Sequence, residues 1–176
     1  VGLLCVRKAK EGGLSSLVSV AAIYNEILRT HPEYLGLYYR QWYCAHLCVT
    51  GDEAGLTPIF SYFDGKLTCR YMRQYIELGH EMKQLPLTPV ELEALDLFDE
   101  IMHRPELRLE MMLEPGDIQF ANNYMALHSR NGFEDFEEPE QRRKLLRLWV
   151  KMPNARKLAP EFPGRNGFPA AVAEAA

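Results

Sequence analysis

Residues 114–130 read EPGDIQFANNYMALHSR, and this stretch decides the fold that the sequence predicts. It opens with four residues, Glu-Pro-Gly-Asp, whose composition is typical of a tight turn. A strand is then predicted from Ile118 to Asn122, followed by a further extended segment through His128. The sequence thus predicts an imidazole near the end of an extended segment that follows a turn.

Strand signals continue on both sides of this stretch. Residues 107–113 alternate apolar and polar side chains with the two-residue period of a strand that has one apolar face. A polar, acidic loop follows at 131–141, and residues 144–152 are predicted to form a last strand. The chain opens at 1–9 with an apolar run typical of a buried strand, which a turn at 10–13 closes.

Helix signals fall between these strands. Residues 16–30 carry apolar side chains at the three- and four-residue steps of one helical face, and the His-Pro pair that follows ends this helix. Residues 72–82 are also predicted to be helical. A third helix is predicted over 89–103, where Thr88 is the N-cap and Glu91 completes a capping box.

The middle of the chain is less regular. An Asp-Gly pair between residues 58–63 and 66–71 predicts a hairpin, because a tight primed turn needs positive φ at both central positions. Residues 51–57 have the composition of a polar loop. The aromatic-rich stretch 34–50 favours neither helix nor strand.

The order of these elements limits the fold class. Strands at both ends with helices between them argue against a doubly wound parallel sheet, in which strand and helix alternate regularly. A β-sandwich or jelly-roll core with inserted helices fits better. The tail 153–176 has little periodicity and is expected to wrap the surface or to be disordered.

Bulk composition excludes several classes of protein. The 176 residues carry a net charge of −4, which gives no sign of nucleic-acid or anionic-membrane binding. No apolar run is long enough for a membrane span, and the first residues lack a secretory pattern. The four cysteines are too few and too scattered for a disulfide scaffold. We therefore expect a cytoplasmic protein; the oligomeric state cannot be predicted.

Two segments, GDIQFANNYMALHSR at 116–130 and RRKLLRLW at 142–149, together resemble the taurine dioxygenase-like (TauD/TfdA) family of Fe(II)- and 2-oxoglutarate-dependent dioxygenases. Members carry a Gly-Asp turn into a strand, an Asn-rich segment, a distal iron-binding His, and an Arg a dozen or more residues later. Residues 12–15, GGLS, also look like the family's Gly-Gly-x-Ser/Thr loop. The resemblance implies a mainly β fold with inserted helices, a double-stranded β-helix (jelly roll) that is incomplete at the N-terminus, with residues 1–152 as its C-terminal portion.

The resemblance also implies roles for individual residues. His128 would be one iron ligand, because such enzymes hold Fe(II) with two His and one carboxylate. Arg143 would bind the far carboxylate of 2-oxoglutarate through a bidentate fork, supported by the hydroxyl of Ser15. Arg147 and Asn123 match positions that can face the substrate. O₂ would be the co-substrate, and the substrate would be a small molecule.

Each of these roles has an ordinary alternative. His128 could be a structural or surface histidine, and Arg143 could pair with the acidic loop at 134–140. Ser15 could be a helix N-cap, a position that Ser prefers. Arg147 could be a surface residue, and Asn123 could shape a turn with its neighbour Asn122. These alternatives remain open at the level of the sequence.

Two other groups of metal-binding residue types are not expected to form sites. The segment CAHLC at 44–48 lacks a second Cys/His cluster at zinc-finger spacing. His31 and Glu33 spell the family's proximal His-x-acid pair, but they follow the GGLS loop, whereas the family places the pair before it. By resemblance, the proximal pair would lie ten to fifteen residues before Val1, so the chain is expected to be a fragment.

The leading hypothesis is therefore a dioxygenase that hydroxylates, or otherwise oxidises, a small polar metabolite, with this fragment alone inactive. The alternative is a non-catalytic jelly-roll relative used for binding or assembly. A third possibility is a cupin-type small-molecule binder with another metal.

Overall fold

A computed structural model describes residues 1–45, 54–150 and 152–162. In chain order the strands are β1 (Gly2–Arg7), β2 (Glu11–Gly12), β3 (Ser15–Ser19), β4 (Gln41–Ala45), β5 (Ala54–Pro58), β6 (Phe60–Phe63), β7 (Lys66–Cys69), β8 (Arg108–Met111), β9 (Ile118–Phe120), β10 (Ala126–Arg130), β11 (Phe133–Glu134) and β12 (Lys144–Leu148). The helices are α1 (Val20–Thr30), α2 (Leu35–Tyr39), α3 (Arg73–Met82) and α4 (Pro89–Met102), with a 3-10 turn at Pro32–Tyr34. The described chain is mainly β with inserted helices, as predicted.

The chain divides into two compact units. The first contains residues 1–23 and 101–155, and the second contains residues 24–100 and 156–176. No helix in the described part of the chain is long and apolar enough to cross a membrane.

The first unit contains two antiparallel three-stranded sheets, with strand orders β12-β1-β9 and β10-β3-β8. β1 is the centre of one sheet and β3 is the centre of the other, so residues near the start of the chain pair with residues more than 100 positions later. A register shift between Cys5 and Arg7 interrupts the pairing of β1 with β12. The small pair β11-β2 completes the unit's described strands.

The prediction of a helix over 16–30 was wrong for its first four residues. Ser15–Ser19 form β3, which pairs with β8 on one side and β10 on the other, and α1 begins only at Val20. The helical spacing of apolar residues is a weaker determinant here than hydrogen bonding to two neighbouring strands. The turn predicted at 10–13 likewise contains β2, which pairs with β11 inside the predicted loop 131–141.

The second unit has an aromatic core. The rings of Tyr38, Phe60 and Phe98 lie 5.6–5.7 Å from one another, and all three side chains are fully buried. Its strands form the pairs β4-β5 and β6-β7. The predicted hairpin is confirmed, with positive φ at Asp64 (50°) and Gly65 (71°).

The capping box of α4 is also confirmed. The main-chain N–H of Thr88 donates to Oε2 of Glu91 at 2.6 Å, and the Thr88 hydroxyl donates to the same oxygen at 2.8 Å. Glu91 is buried and forms an ion pair with Arg40. The Glu91 carboxylate therefore accepts hydrogen bonds at the N-terminus of α4 and also pairs with the guanidinium of Arg40.

Three further predictions for this unit need correction or limitation. Ala54–Pro58 form strand β5 rather than the predicted polar loop, because they pair along the whole of β4. Residues 46–53, including His46 and Cys48 of the CAHLC segment, lie outside the described residues. The prediction for the tail, residues 153–176, can be compared with the structure only up to residue 162. In that part, Arg156 donates to the carbonyl oxygen of Leu67 at 2.5 Å, and Phe162 is buried.

Candidate iron and cosubstrate site

The site begins with one row of the sheet β12-β1-β9. Leu3 on β1 is directly opposite Arg147 on β12 and Gln119 on β9. Directly opposed residues of antiparallel strands place their side chains on the same face of the sheet. Arg147, Leu3 and Gln119 therefore share one face.

His128 lies on β10, opposite Leu17 of β3. The residue is exposed, yet the protein around the ring lowers the pKa of His128 from its usual value. The guanidinium of Arg147 lowers the pKa of His128 further, because a second positive charge nearby disfavours imidazolium. The charge of Arg147 on β12 therefore acts on the imidazole of His128 on β10.

Arg143 lies directly before β12 and is half-buried. Its main-chain N–H donates to Oδ1 of Asp135 at 2.7 Å, and its guanidinium carbon lies 5.4 Å from the centre of the Phe133 ring. Burial, followed by the charge of Arg130, lowers the pKa of Arg143, although an arginine remains a cation at neutral pH. Among the described residues, the guanidinium forms no ion pair. Asp135 of the acidic loop thus hydrogen-bonds to the backbone of Arg143, and its charge raises the pKa of Arg143 without an ion pair to the guanidinium.

The GGLS loop lies against Arg143. Gly12 and Gly13 have φ of 72° and 82°, a region that residues with a Cβ rarely adopt. A Cβ on Gly12 would collide with the carbonyl oxygen of Gly132, and one on Gly13 would lie 3.5 Å from Nε of Arg143. The two glycines permit both the turn and the close approach of this loop to the arginine.

Ser15 is 4% exposed and lies in β3, opposite Arg130. The alternative of a helix N-cap at Ser15 was wrong, because the helix begins five residues later. Ser19 takes that position instead, with its hydroxyl accepting from the N–H of Ala22 at 3.4 Å. The guanidinium of Arg130 stacks on the Phe133 ring at 4.2 Å, the same ring that Arg143 approaches.

The two asparagines before β10, Asn122 and Asn123, differ in the hydrogen bonding of their side chains. Oδ1 of Asn122 accepts from the main-chain N–H of Tyr124 at 3.1 Å, which is a turn role. Oδ1 of Asn123 is buried and has no hydrogen-bond partner within the described residues. Gln119 is similar, since it is 7% exposed and its Oε1 has no partner in the same part of the chain. The sequence does not distinguish Gln119 from its neighbours, because strand alternation alone does not tell which face is buried.

His128 fits iron as a single ligand only. In the described part of the chain, no group of three His, Cys, Asp or Glu side chains could hold a metal ion. His31 begins the His-x-Glu motif at residues 31–33 and directly precedes the 3-10 turn. Its Nδ1 is buried and has no hydrogen-bond partner among the described residues. An iron bound at His128 would therefore need two ligands from outside the described residues.

Comparison with known proteins identifies the family. The sequence profile of the family described as "Taurine catabolism dioxygenase TauD, TfdA family" matches residues 1–149. FR-33289 synthase of Streptomyces rubellomurinus (strain ATCC 31215) is 38% identical over 164 residues, which cover 88% of this chain and 48% of that protein. The chain spans about half the length of the curated relatives it matches.

Solved structures share the fold. An asparagine oxygenase in complex with Fe(II), 2S,3S-3-hydroxyasparagine and succinate superposes with a TM-score of 0.61 at 17% identity, over 82% of this chain and 42% of that one. The non-heme iron oxygenase OrfP, in complex with Fe and alpha-ketoglutaric acid, gives a TM-score of 0.52 at 15% identity, over 82% and 42% of the two chains.

Proposed function

The chain belongs to the taurine catabolism dioxygenase TauD, TfdA family, and we propose that it is part of an Fe(II)- and 2-oxoglutarate-dependent dioxygenase acting on a small polar metabolite. The oxidation is a hydroxylation or a related reaction. Residues 1–152 supply the C-terminal portion of a jelly roll, of which the sheets β12-β1-β9 and β10-β3-β8 are two parts. Of the tail that begins at residue 153, residues 163–176 lie outside the described part of the chain.

The observation that carries this proposal is the state of Arg143. Its guanidinium is half-buried, lies near the Phe133 ring, and has no ion-pair partner among the described residues. A partly desolvated cation of this kind favours an anionic ligand, and the planar fork of arginine matches a carboxylate. The far carboxylate of 2-oxoglutarate is the anion that we assign to it.

The other residues take roles around this anchor. Ser15, buried on β3 beyond the Gly12-Gly13 turn, supports the cosubstrate end of the site. His128 supplies one iron ligand, and the missing histidine and carboxylate come from outside the described residues. When bound, the iron would supply the redox chemistry that couples O₂ to the oxidation of 2-oxoglutarate and substrate.

Arg147 and Asn123 contribute to substrate binding. Arg147 is exposed, its charge lowers the pKa of His128, and its guanidinium carbon lies 5.8 Å from the centre of the Trp149 ring. Asn123 brings a buried carbonyl oxygen that the described protein leaves without a donor. We place the protein in a reducing compartment such as the cytoplasm, because Cys5, Cys44 and Cys69 are free thiols.

The test uses the full-length protein, with the iron ligands that this proposal requires. Succinate formation and O₂ uptake that depend on both added Fe(II) and 2-oxoglutarate are expected. Arg143→Gln should weaken 2-oxoglutarate binding roughly ten- to a hundredfold, because it removes a charge-assisted fork. The neighbouring Lys144→Gln removes an exposed cation and is the matched control.

Two results would contradict the proposal. Full-length protein that forms no succinate with Fe(II) and 2-oxoglutarate would favour the non-catalytic relative. Equal loss of 2-oxoglutarate binding in Arg143→Gln and Lys144→Gln would show that general charge, rather than the fork at Arg143, attracts the cosubstrate.

A further inference from the structure

An aromatic ring lies beside the arginine to which we assign the cosubstrate. Phe133, the first residue of β11, is half-buried, and its ring centre lies 5.4 Å from the guanidinium carbon of Arg143. A guanidinium within about 6 Å of a ring centre is attracted to the electron-rich face of the ring. An arginine that stacks on a ring keeps the N–H groups at its edge available for an anion. The contact therefore restrains the Arg143 side chain without using its fork.

The backbone around Phe133 is held in place by main-chain hydrogen bonds. Phe133 lies in the strand pair β11-β2. On either side of it, the N–H groups of Lys10 and Gly13 donate to the carbonyl oxygens of Glu134 and Gly132, each at 3.0 Å. Paired backbone of this kind gives the ring a fixed origin, which a side chain on an unpaired loop would lack.

The glycine turn brings the ring and the arginine together. A Cβ on Gly13 would lie 3.5 Å from Cβ of Phe133 and also 3.5 Å from Nε of Arg143. A Cβ on Gly12 would lie 3.1 Å from Cα of Phe133. The turn, the ring and the guanidinium thus lie against one another at one point, and the ring has little room to move away from the arginine.

One short segment therefore holds Arg143 in two places. The Asp135 carboxylate accepts a hydrogen bond from the main-chain N–H of Arg143, and Phe133, two residues earlier, contacts the guanidinium. The hydrogen bond fixes where the residue lies along the chain. The ring restricts the directions in which the side chain can extend, so the two contacts have separate effects.

The same ring also contacts the strand that carries the candidate iron ligand. The guanidinium carbon of Arg130 lies 4.2 Å from the centre of the Phe133 ring. Arg130 follows His128 by two residues on β10, so both side chains point to the same face of that strand. A cosubstrate that reaches from an iron at His128 to Arg143 depends on the separation of these two residues, and Phe133 contacts both the strand and the arginine.

We propose that Phe133 is a positioning residue for the cosubstrate, whose ring orients the guanidinium of Arg143 so that its fork is ready for the far carboxylate of 2-oxoglutarate. Phe133 acts through Arg143 rather than by contact with the cosubstrate. Orientation before binding lowers the entropy that binding must otherwise cost. This inference rests on the proposed function for the identity of the anion, and it adds a residue that determines how tightly the anion is held.

The first test is calorimetric binding of 2-oxoglutarate to full-length protein with Fe(II) and without O₂. Phe133→Leu keeps an apolar side chain and removes the ring face, so we expect roughly two- to fivefold weaker binding. Phe133→Tyr keeps the ring face and should bind as the wild type does. Phe136→Leu removes another half-buried ring of the acidic loop and is the matched control, with binding unchanged. Unchanged binding in Phe133→Leu, or an equal loss in Phe133→Tyr or Phe136→Leu, would overturn the proposal.

A double-mutant cycle tests whether Phe133 acts through Arg143. In protein that already carries Arg143→Gln, the further change Phe133→Leu should leave 2-oxoglutarate binding as it is, because the group that the ring orients is gone. The comparison is made between two variants that both lack the guanidinium, so general damage by Phe133→Leu would appear as an added loss. A second loss as large as in the wild-type background contradicts the positioning role.

Steady-state kinetics separate positioning from structural damage. With Phe133→Leu, the KM for 2-oxoglutarate in succinate formation should rise two- to fivefold, as binding does, while kcat at saturating 2-oxoglutarate stays the same. A ring that only supported the fold would change the fraction of active protein, and kcat would fall while KM stayed constant. That pattern would assign Phe133 a structural role and reject the proposal.

The contact can also be observed without cosubstrate or metal. In full-length protein with ¹⁵N-labelled arginine, the ring current of Phe133 shifts the Nε–H resonance of Arg143, which Arg143→Gln identifies by its loss. Phe133→Leu should move this resonance and Phe136→Leu should not; a resonance that stays in place in Phe133→Leu shows that the ring does not hold the guanidinium. A wild type that binds no 2-oxoglutarate contradicts the proposed function and, with it, the role of Phe133. Wild-type binding that Phe133→Leu leaves unchanged contradicts the role of Phe133 alone.

Discussion

Asp135 accepts a hydrogen bond of 2.7 Å from the main-chain N–H of Arg143, so the acidic loop fixes the position of this residue through its backbone. The guanidinium is left without an ion pair among the described residues. Asp135 therefore positions the backbone of Arg143, and it leaves the guanidinium of Arg143 available to bind another anion.

Asp135→Ala should therefore weaken 2-oxoglutarate binding although the charge of Arg143 is unchanged. Loss of one charge-assisted hydrogen bond costs about 1.5–3 kcal/mol, but part of that would appear as lost stability, so we expect binding to fall several-fold. Asp135→Asn keeps an acceptor for the Arg143 N–H and should bind 2-oxoglutarate nearly as well as the wild type. Calorimetric titration with 2-oxoglutarate measures both. If Asn and Ala weaken binding equally, the charge of Asp135 matters rather than its hydrogen bond.

His128→Ala should abolish the Fe(II)-dependent formation of succinate while the fold stays intact. Because the imidazole is exposed, its removal leaves no cavity in the core, and the unfolding temperature should not change. His103→Ala removes another exposed imidazole of the same unit and is the control. Retained turnover in His128→Ala would show that this imidazole is not an iron ligand.

The features that the sequence predicted well are those that a few adjacent residues determine. The capping box of Thr88 and Glu91 and the Asp64-Gly65 turn depend on side-chain and backbone chemistry within four residues. Tertiary context reinforces such motifs, as when Arg40 pairs with the buried Glu91, but it does not create them.

The features that the sequence did not predict depend on residues far along the chain. β3 looks like the start of a helix until its partners, β8 and β10, are known to lie on either side of it. Within α4, the apolar Leu92 is 37% exposed, whereas Ala94 and Ile101 are fully buried. Helical periodicity defines an apolar stripe, and the neighbouring elements decide which part of the stripe is covered.

The candidate site combines both kinds of information. The order of the GGLS loop, His128 and Arg143 can be read from the sequence by resemblance to a family. The unpaired state of the Arg143 guanidinium cannot, because the sequence equally allowed an ion pair with the acidic loop. The same holds for Gln119, whose burial depends on which face of β9 is covered.

Gly79→Ala should destabilise the second unit. Gly79 lies on α3 where this helix meets β4, and a Cβ there would be 2.7 Å from main-chain atoms of Tyr43 and Cys44. Backbone cannot yield as a flexible side chain does, so we expect the free energy of unfolding to fall by about 1–3 kcal/mol despite the higher helix propensity of alanine. Urea denaturation measures the change.

Gly36→Ala is the matched control for that experiment. Gly36 lies within α2, and no atom lies within 4 Å of the position of its Cβ. Alanine there should stabilise the protein by about 0.5–1 kcal/mol, because glycine loses more conformational entropy in a helix. Equal effects of the two substitutions would mean that close packing of α3 on β4 is not the reason for glycine at position 79.

Alkylation by iodoacetamide should spare three cysteines of the folded protein. Burial raises the pKa of Cys44 to about 11, and it also raises the pKa of Cys5 and Cys69. Only the thiolate reacts, so at pH 8 about one Cys44 in a thousand is reactive, even before access is considered. Peptide mass spectrometry should find these thiols unmodified in buffer and fully modified in urea, where burial is lost. Rapid labelling of Cys44 in buffer would show that β4 opens locally, because the folded strand buries this thiol.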